Sequence, residues 1–144
     1  MIDSFTGDYR FLSNFYPSII EWCGISFPTV EHAYQAAKTM NLNQRQTIAS
    51  LATPGQAKRA GRKIHLRQGW AEMRIEYMNL FLCRKFVLPG CMGELLLSTG
   101  NKKLIEGNHW GDTFWGVCHG VGENNLGKLL MTLREQLQKR RMSK

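Results

Sequence analysis

The chain has 144 residues, 43% of them hydrophobic, and a formal net charge of +8. This suits one soluble, globular domain with a real core. No apolar run approaches the roughly 18 to 20 residues of a membrane span. The opening Met-Ile-Asp-Ser-Phe-Thr-Gly-Asp has no basic segment followed by an apolar one, so a cytoplasmic protein without a membrane partner is expected. Cys23, Cys83, Cys91 and Cys118 show no CxxC pairing and read as reduced, mostly buried thiols. Cys118 and His119 lack the usual ligand spacing of a zinc site, so no metal is expected.

The charge is unevenly spread. Between His32 and Ala71 there is no Asp or Glu, while Lys38, Arg45, Lys58, Arg59, Arg62, Lys63 and Arg67 all fall there. Lys139, Arg140, Arg141 and Lys144 form a second basic cluster. Such asymmetry favours a phosphate-bearing partner, a nucleotide or a nucleic acid. The terminal cluster equally suits a solvated tail that satisfies a helix dipole.

Residues 2 to 22 read as irregular to extended. In Phe11-Leu12-Ser13-Asn14-Phe15-Tyr16-Pro17, core anchoring explains the aromatics. Ser13 and Asn14 either cap a turn or present a hydroxyl and an amide to a ligand. Ser18 to Trp22 and Ile25 to Phe27, joined at Cys23-Gly24, read as a hairpin.

The organising stretch runs from Pro28 to Met40. Thr29 is an N-cap, and Val30, Ala33, Ala37 and Met40 recur on one face, the expected packed side. Glu31 and Lys38 share the opposite stripe, with Tyr34 and Gln35 between them. Their separation is two turns, about 10.5 Å, and the lean of side chains toward the helix N-terminus lets the Lys38 amine reach back. A carboxylate and an amine facing one small space suit catalysis. A solvated surface helix would look the same, because Glu at the start and Lys at the end suit the helix dipole.

Asn43 to Leu51 predicts a second helix, and Thr53-Pro54-Gly55 starts a third with Thr as cap and Pro at the first position. Residues 54 to 63 carry Lys58, Arg59, Arg62 and Lys63, either an exposed face or a phosphate cradle, with Gly61 allowing close approach. Gly69 to Val87 is the core helix through Trp70, Met73, Tyr77, Met78, Phe81, Leu82 and Phe86. Trp70 at its first turn is a core residue or a rim-facing indole. Cys91 to Ser98 predicts a short helix stopped at Gly100, and Lys103 to Glu106 a strand. Asp112 and Trp115 flank a turn into a strand, followed by a loop with glycines at 116, 120 and 122 that matches no GxGxxG or Walker pattern. Leu126 to Arg141 closes as an amphipathic helix. There is no internal repeat, low-complexity stretch or linker.

Together these segments resemble the YbiA-like or NADAR family. The strings are Phe5-Thr6-Gly7 with Phe11 to Phe15, Thr29 through Lys38, Ala57-Lys58 with Gly61-Arg62, Trp70, Lys85-Phe86, Leu96 to Gly100, Leu104 to Glu106, Asp112 with Trp115-Gly116, and Asn125 to Gly127 with Leu130-Met131 and Arg134. The resemblance runs over nearly the whole chain; Val117-Cys118-His119 departs from the smaller turn expected. It implies an α+β fold, one compact, mainly helical domain over residues 1–144 with a small antiparallel sheet. It also implies cleavage of N-glycosidic bonds without a cofactor. The associated substrates are ADP-ribose on guanine, in a nucleotide or in DNA, and ribosylaminopyrimidine phosphates of riboflavin synthesis. No obligate protein partner is expected.

The family's functional positions fall on Glu31, Trp70, Asp112 and Trp115, with Lys38 as a covalent residue. Glu31 would stabilise the sugar cation, Lys38 attack C1′, and Asp112 orient a hydroxyl or water. Lys58 and Arg62 would bind phosphate, and Trp70 and Trp115 stack on the base; Ser13, Asn14 and Tyr34 complete the substrate-binding set. The competing class is a non-catalytic module binding ADP-ribose or nucleic acid through the same groups.

Overall fold

The computed structural model describes residues 1–88, 90 and 92–143. Cys91 and Lys144, expected to open a helix and to end the basic tail, lie outside the described residues. The chain falls into two compact units: Asn14–Lys85, and Met1–Ser13 with Phe86–Lys144. Helices dominate both.

The Asn14–Lys85 unit opens with strands β1 (Ile20–Trp22) and β2 (Ile25–Phe27), paired antiparallel with Trp22 opposite Ile25. Their two-residue turn places Cys23 at φ 51° and Gly24 at φ 73°, the double left-handed geometry that matches the twist of a hairpin. Cys23 is therefore exposed rather than buried, while Cys118 is buried. Helix α1 (Val30–Ala37) follows, then α2 (Leu42–Ala49), α3 (Pro54–Gly61) and α4 (Trp70–Phe86). Thr53 caps α3 in a reciprocal capping box with Gln56.

Helix α1 packs against α2, α3 and both strands. This covering decides what periodicity left open, because all eight α1 residues are buried, polar ones included. The stretch expected to be helical to Met40 ends at Ala37 with Lys38 as C-cap. Met40 therefore leaves the packed face and is 64% exposed. Arg45 of α2 is buried over the Trp22 ring, with Nε donating to the Thr39 carbonyl at 2.8 Å.

In the other unit, a 3-10 turn at Gly7–Leu12 packs on α5 (Met92–Ser98). Strands β3 (Gly107–Asn108) and β4 (Val117–Cys118) pair in parallel, and α6 (Asn125–Met142) buries Leu126, Leu130 and Leu133. The strand expected over Lys103–Glu106 does not form. Leu104 makes one bridge to Ile2, with Ile2 N–H donating to Lys103 O and Ile105 N–H to Ile2 O, and pairing resumes only at Gly107. The basic end of α6 is solvated, with Lys139 beside Glu135 and Arg141 beside Glu94. No described helix is long and apolar enough to cross a membrane.

Candidate active site

The Asn14–Lys85 unit assembles its polar groups around α1. The Thr29 hydroxyl accepts from His32 N–H at 3.1 Å, fixing the first turn. His32 is fully buried; its Nε2 lies 3.0 Å from the Leu51 carbonyl and its Nδ1 2.8 Å from the Thr29 hydroxyl. A carbonyl only accepts, so Nε2 carries the proton and Nδ1 accepts from Thr29. Burial lowers the His32 pKa, partly offset by the bond to Leu51.

Glu31 follows the cap. Its backbone N–H donates to the Asn14 carbonyl at 3.1 Å, and its side chain is 7% exposed. Gln35 Nε2 donates to Glu31 Oε1 at 3.1 Å. One turn further, the C-cap Lys38 leans back along α1, its amine 5.6 Å from the centre of the Tyr34 ring and within the electrostatic reach of Glu31. Its pKa is lowered, first by burial and then by the positive charges of Arg62 and Lys58, with Glu31 acting in the opposite sense. The basic helix α3 thus divides. Lys58 is half-buried, Arg59 and Lys63 are exposed, and the exposed Arg62 still acts on Lys38.

Trp70 is a wall rather than a rim. It is 6% exposed, with ring centres 5.4 Å from Tyr34 and 5.9 Å from Tyr77. Arg67 ties this wall to the end of α1: its N–H donates to the Lys38 carbonyl at 2.8 Å, and its guanidinium donates to Tyr77 Oη at 3.1 Å. Asn14 donates through Nδ2 to Met78 Sδ at 3.5 Å, and its Oδ1 is buried without a hydrogen-bond partner among the described residues.

The remaining sequence-predicted residues belong to the other unit. Ser13 ends the 3-10 turn, its N–H donating to Arg10 O. Asp112 Oδ1 accepts from the backbone N–H groups of Phe114 and Trp115 at 3.1 and 2.9 Å, which folds the turn that presents the half-buried Trp115. One carboxylate oxygen of Asp112 is therefore engaged in shaping this loop. Among the described residues no group of three His, Cys, Asp or Glu side chains could hold a metal. Sequence reasoning passed over Gln35 as a functional residue, although it stands on the Glu31 stripe.

The NADAR domain profile matches residues 4–138. The chain belongs to the NADAR family. The N-glycosidase YbiA of Escherichia coli is 39% identical over 137 residues, covering 93% of this chain and 85% of its own length. An N-glycosidase of Nostoc punctiforme is 35% identical, covering 90% and 86%. A riboflavin biosynthesis protein of Vibrio vulnificus is 36% identical over 134 residues, and the chain spans only 36% of that larger protein. The NMR structure of E. coli YbiA superimposes with a TM-score of 0.85 at 35% identity, over 100% of this chain and 90% of that one. The NADAR assignment makes the chain an N-glycosidase, a hydrolase of N-glycosyl bonds, with the α+β fold of YbiA.

Proposed function

We propose that this N-glycosidase removes ADP-ribose from guanine, in nucleic acid or in a nucleotide, with Glu31 and Lys38 as its catalytic pair. The observation that carries the reading is the buried carboxylate and the leaning amine on one helix, flanked by cations of α3. Breaking a C1′–N bond develops positive charge on the ribose, which a nearby carboxylate stabilises. The lowered pKa of Lys38 raises its neutral fraction, the form that attacks. Its nitrogen bonds to C1′ as the C1′–N pair departs with the base, which takes up a proton. Ring opening gives an imine, and water then releases ADP-ribose and restores the amine.

Lys58 and Arg62 suit the pyrophosphate, and the +8 charge favours a polyanionic substrate. Asn14, Tyr34 and Trp70 bound the sugar and base. Ser13, Asp112 and Trp115 keep the substrate-binding and orienting roles that the resemblance implies. A second reading, hydrolysis of ribosylaminopyrimidine phosphates, draws support from the Vibrio relative's name.

Incubation with ADP-ribosylated guanine DNA and, separately, with ribosylaminouracil phosphate decides between the two by which product is freed. Borohydride should trap a covalent adduct in the wild type and none in Lys38→Ala. An undiminished adduct in that variant defeats the imine route.

A further inference from the structure

Gln35 is 4% exposed and spends its amide in an unusual way. Its Nε2 donates to Glu31 Oε1, while its Oε1 is buried with no hydrogen-bond partner among the described residues. That oxygen is turned against Gly61 of α3, where an added Cβ would overlap the Gln35 amide. A glutamine bonded to a glutamate one turn away is an ordinary helix pair when exposed. Here both partners are buried, and leaving a carbonyl unsatisfied costs stability. Only a glycine at 61 leaves room for the amide to keep its face toward Glu31.

We propose that Gln35 is a positioning residue that holds the Glu31 carboxylate in its working orientation, and that α3 enforces the hold through Gly61. The inference rests on the catalytic role of Glu31 given above. The charged groups facing α1 from its neighbours are Lys58 and Arg62 of α3 and Arg45 of α2, the last committed to the Thr39 carbonyl. Glu21 of β1 is exposed and bonded to Ser26. On α1 itself Lys38 interacts with Glu31, and His32 is buried in the first turn. None of these charged groups is removed by changing residue 35, so a shift in Glu31 titration reports the lost donor.

The test uses the full chain and Gln35→Met, which keeps the length of the side chain and removes the donor. Losing an N–H bond to a carboxylate favours its protonated form. The Glu31 midpoint, read by NMR of carboxyl-labelled glutamate, is expected to rise by about one pH unit. Turnover should fall about tenfold at unchanged KM, the signature of a group acting in the transition state. Gly61→Ala should lower turnover alone and add nothing in the Gln35→Met background. An unmoved midpoint, or a moved midpoint with normal turnover, overturns the proposal. Should Gln35→Met not fold, Gln35→Asn, too short to reach Glu31, is read in the same way. Glu31→Gln run alongside separates the failures. If it retains turnover, the role of Glu31 falls; if it is inactive while Gln35→Met behaves as wild type, only the brace falls.

Discussion

Helices α1 and α6 both carry polar side chains at helical spacing and treat them in opposite ways. Along α6, Leu126, Leu130 and Leu133 are buried while Lys128, Glu135, Lys139 and Arg140 face water, the one-sided pattern of a surface helix. Helix α1 has no such face: Glu31, Tyr34 and Gln35 are buried along with Val30 and Ala33. Taking an ion out of water costs several kcal/mol unless bonds and charges offset it. The polar residues of α1 are therefore held against stability, and the exposed ones of α6 at almost no cost; Arg134, the cation that α6 buries, is bonded to the Thr99 hydroxyl. Only the covering by α2, α3 and the hairpin distinguishes the two cases.

The comparison breaks first at the carboxylates. Glu31→Gln should lower turnover by about a hundredfold or more with the melting temperature kept or raised, since a neutral amide is easier to bury. Glu135→Gln on α6 should change neither. Assays beside thermal melts check both, and near-normal turnover in Glu31→Gln would place α1 with α6.

The lysines sharpen it next. Lys85 is 3% exposed beside the Tyr16 ring, and burial pushes its pKa down to about 7. Between pH 7 and the ordinary 10.5 the unfolded chain then holds more protons than the folded one, so stability climbs with pH across that window. The climb is on the order of 4 kcal/mol, and Lys85→Met should abolish it in denaturant titrations run at pH 6 and pH 10. Lys139→Met, at an exposed site, should leave the slope intact.

Smaller effects belong to the ends of helices. Thr53→Ala should cost about 1 kcal/mol through the lost capping box. Thr29→Ala should cost more, because its hydroxyl also holds His32. Removing the exposed partner in Glu94→Ala should cost less than about 1 kcal/mol, within the scatter of a denaturation curve.

Much of the frame was legible because local chemistry decides it. Thr29 and Thr53 announce two helix starts, Cys23-Gly24 the hairpin, and Gly100, at φ 64°, the stop after α5. The Glu31–Lys38 stripe was legible as spacing, but whether it faced water depended on α2 and α3 folding over it. Met40 fell away because the helix stops at Lys38. The pairing of Gly107–Asn108 with Val117–Cys118 involves two residues a side, too few for any alternation to register. Gln35 escaped notice because its meaning comes from Gly61, which is distant along the chain.

The bonds beneath Glu31 have a direction. The His32 N–H donates to the Thr29 hydroxyl, that hydroxyl donates to Nδ1, and Nε2 donates to the Leu51 carbonyl. Acid that protonates Nδ1 turns it from acceptor to donor, so the Thr29 hydroxyl must reverse and a charged imidazole must stay buried in the first turn of α1. His32 binds that proton less readily than it does in the unfolded chain, so this anchorage weakens as pH falls below about 6.5. The imidazole beneath the first turn thereby ties the folding of α1 to the acidity of the medium.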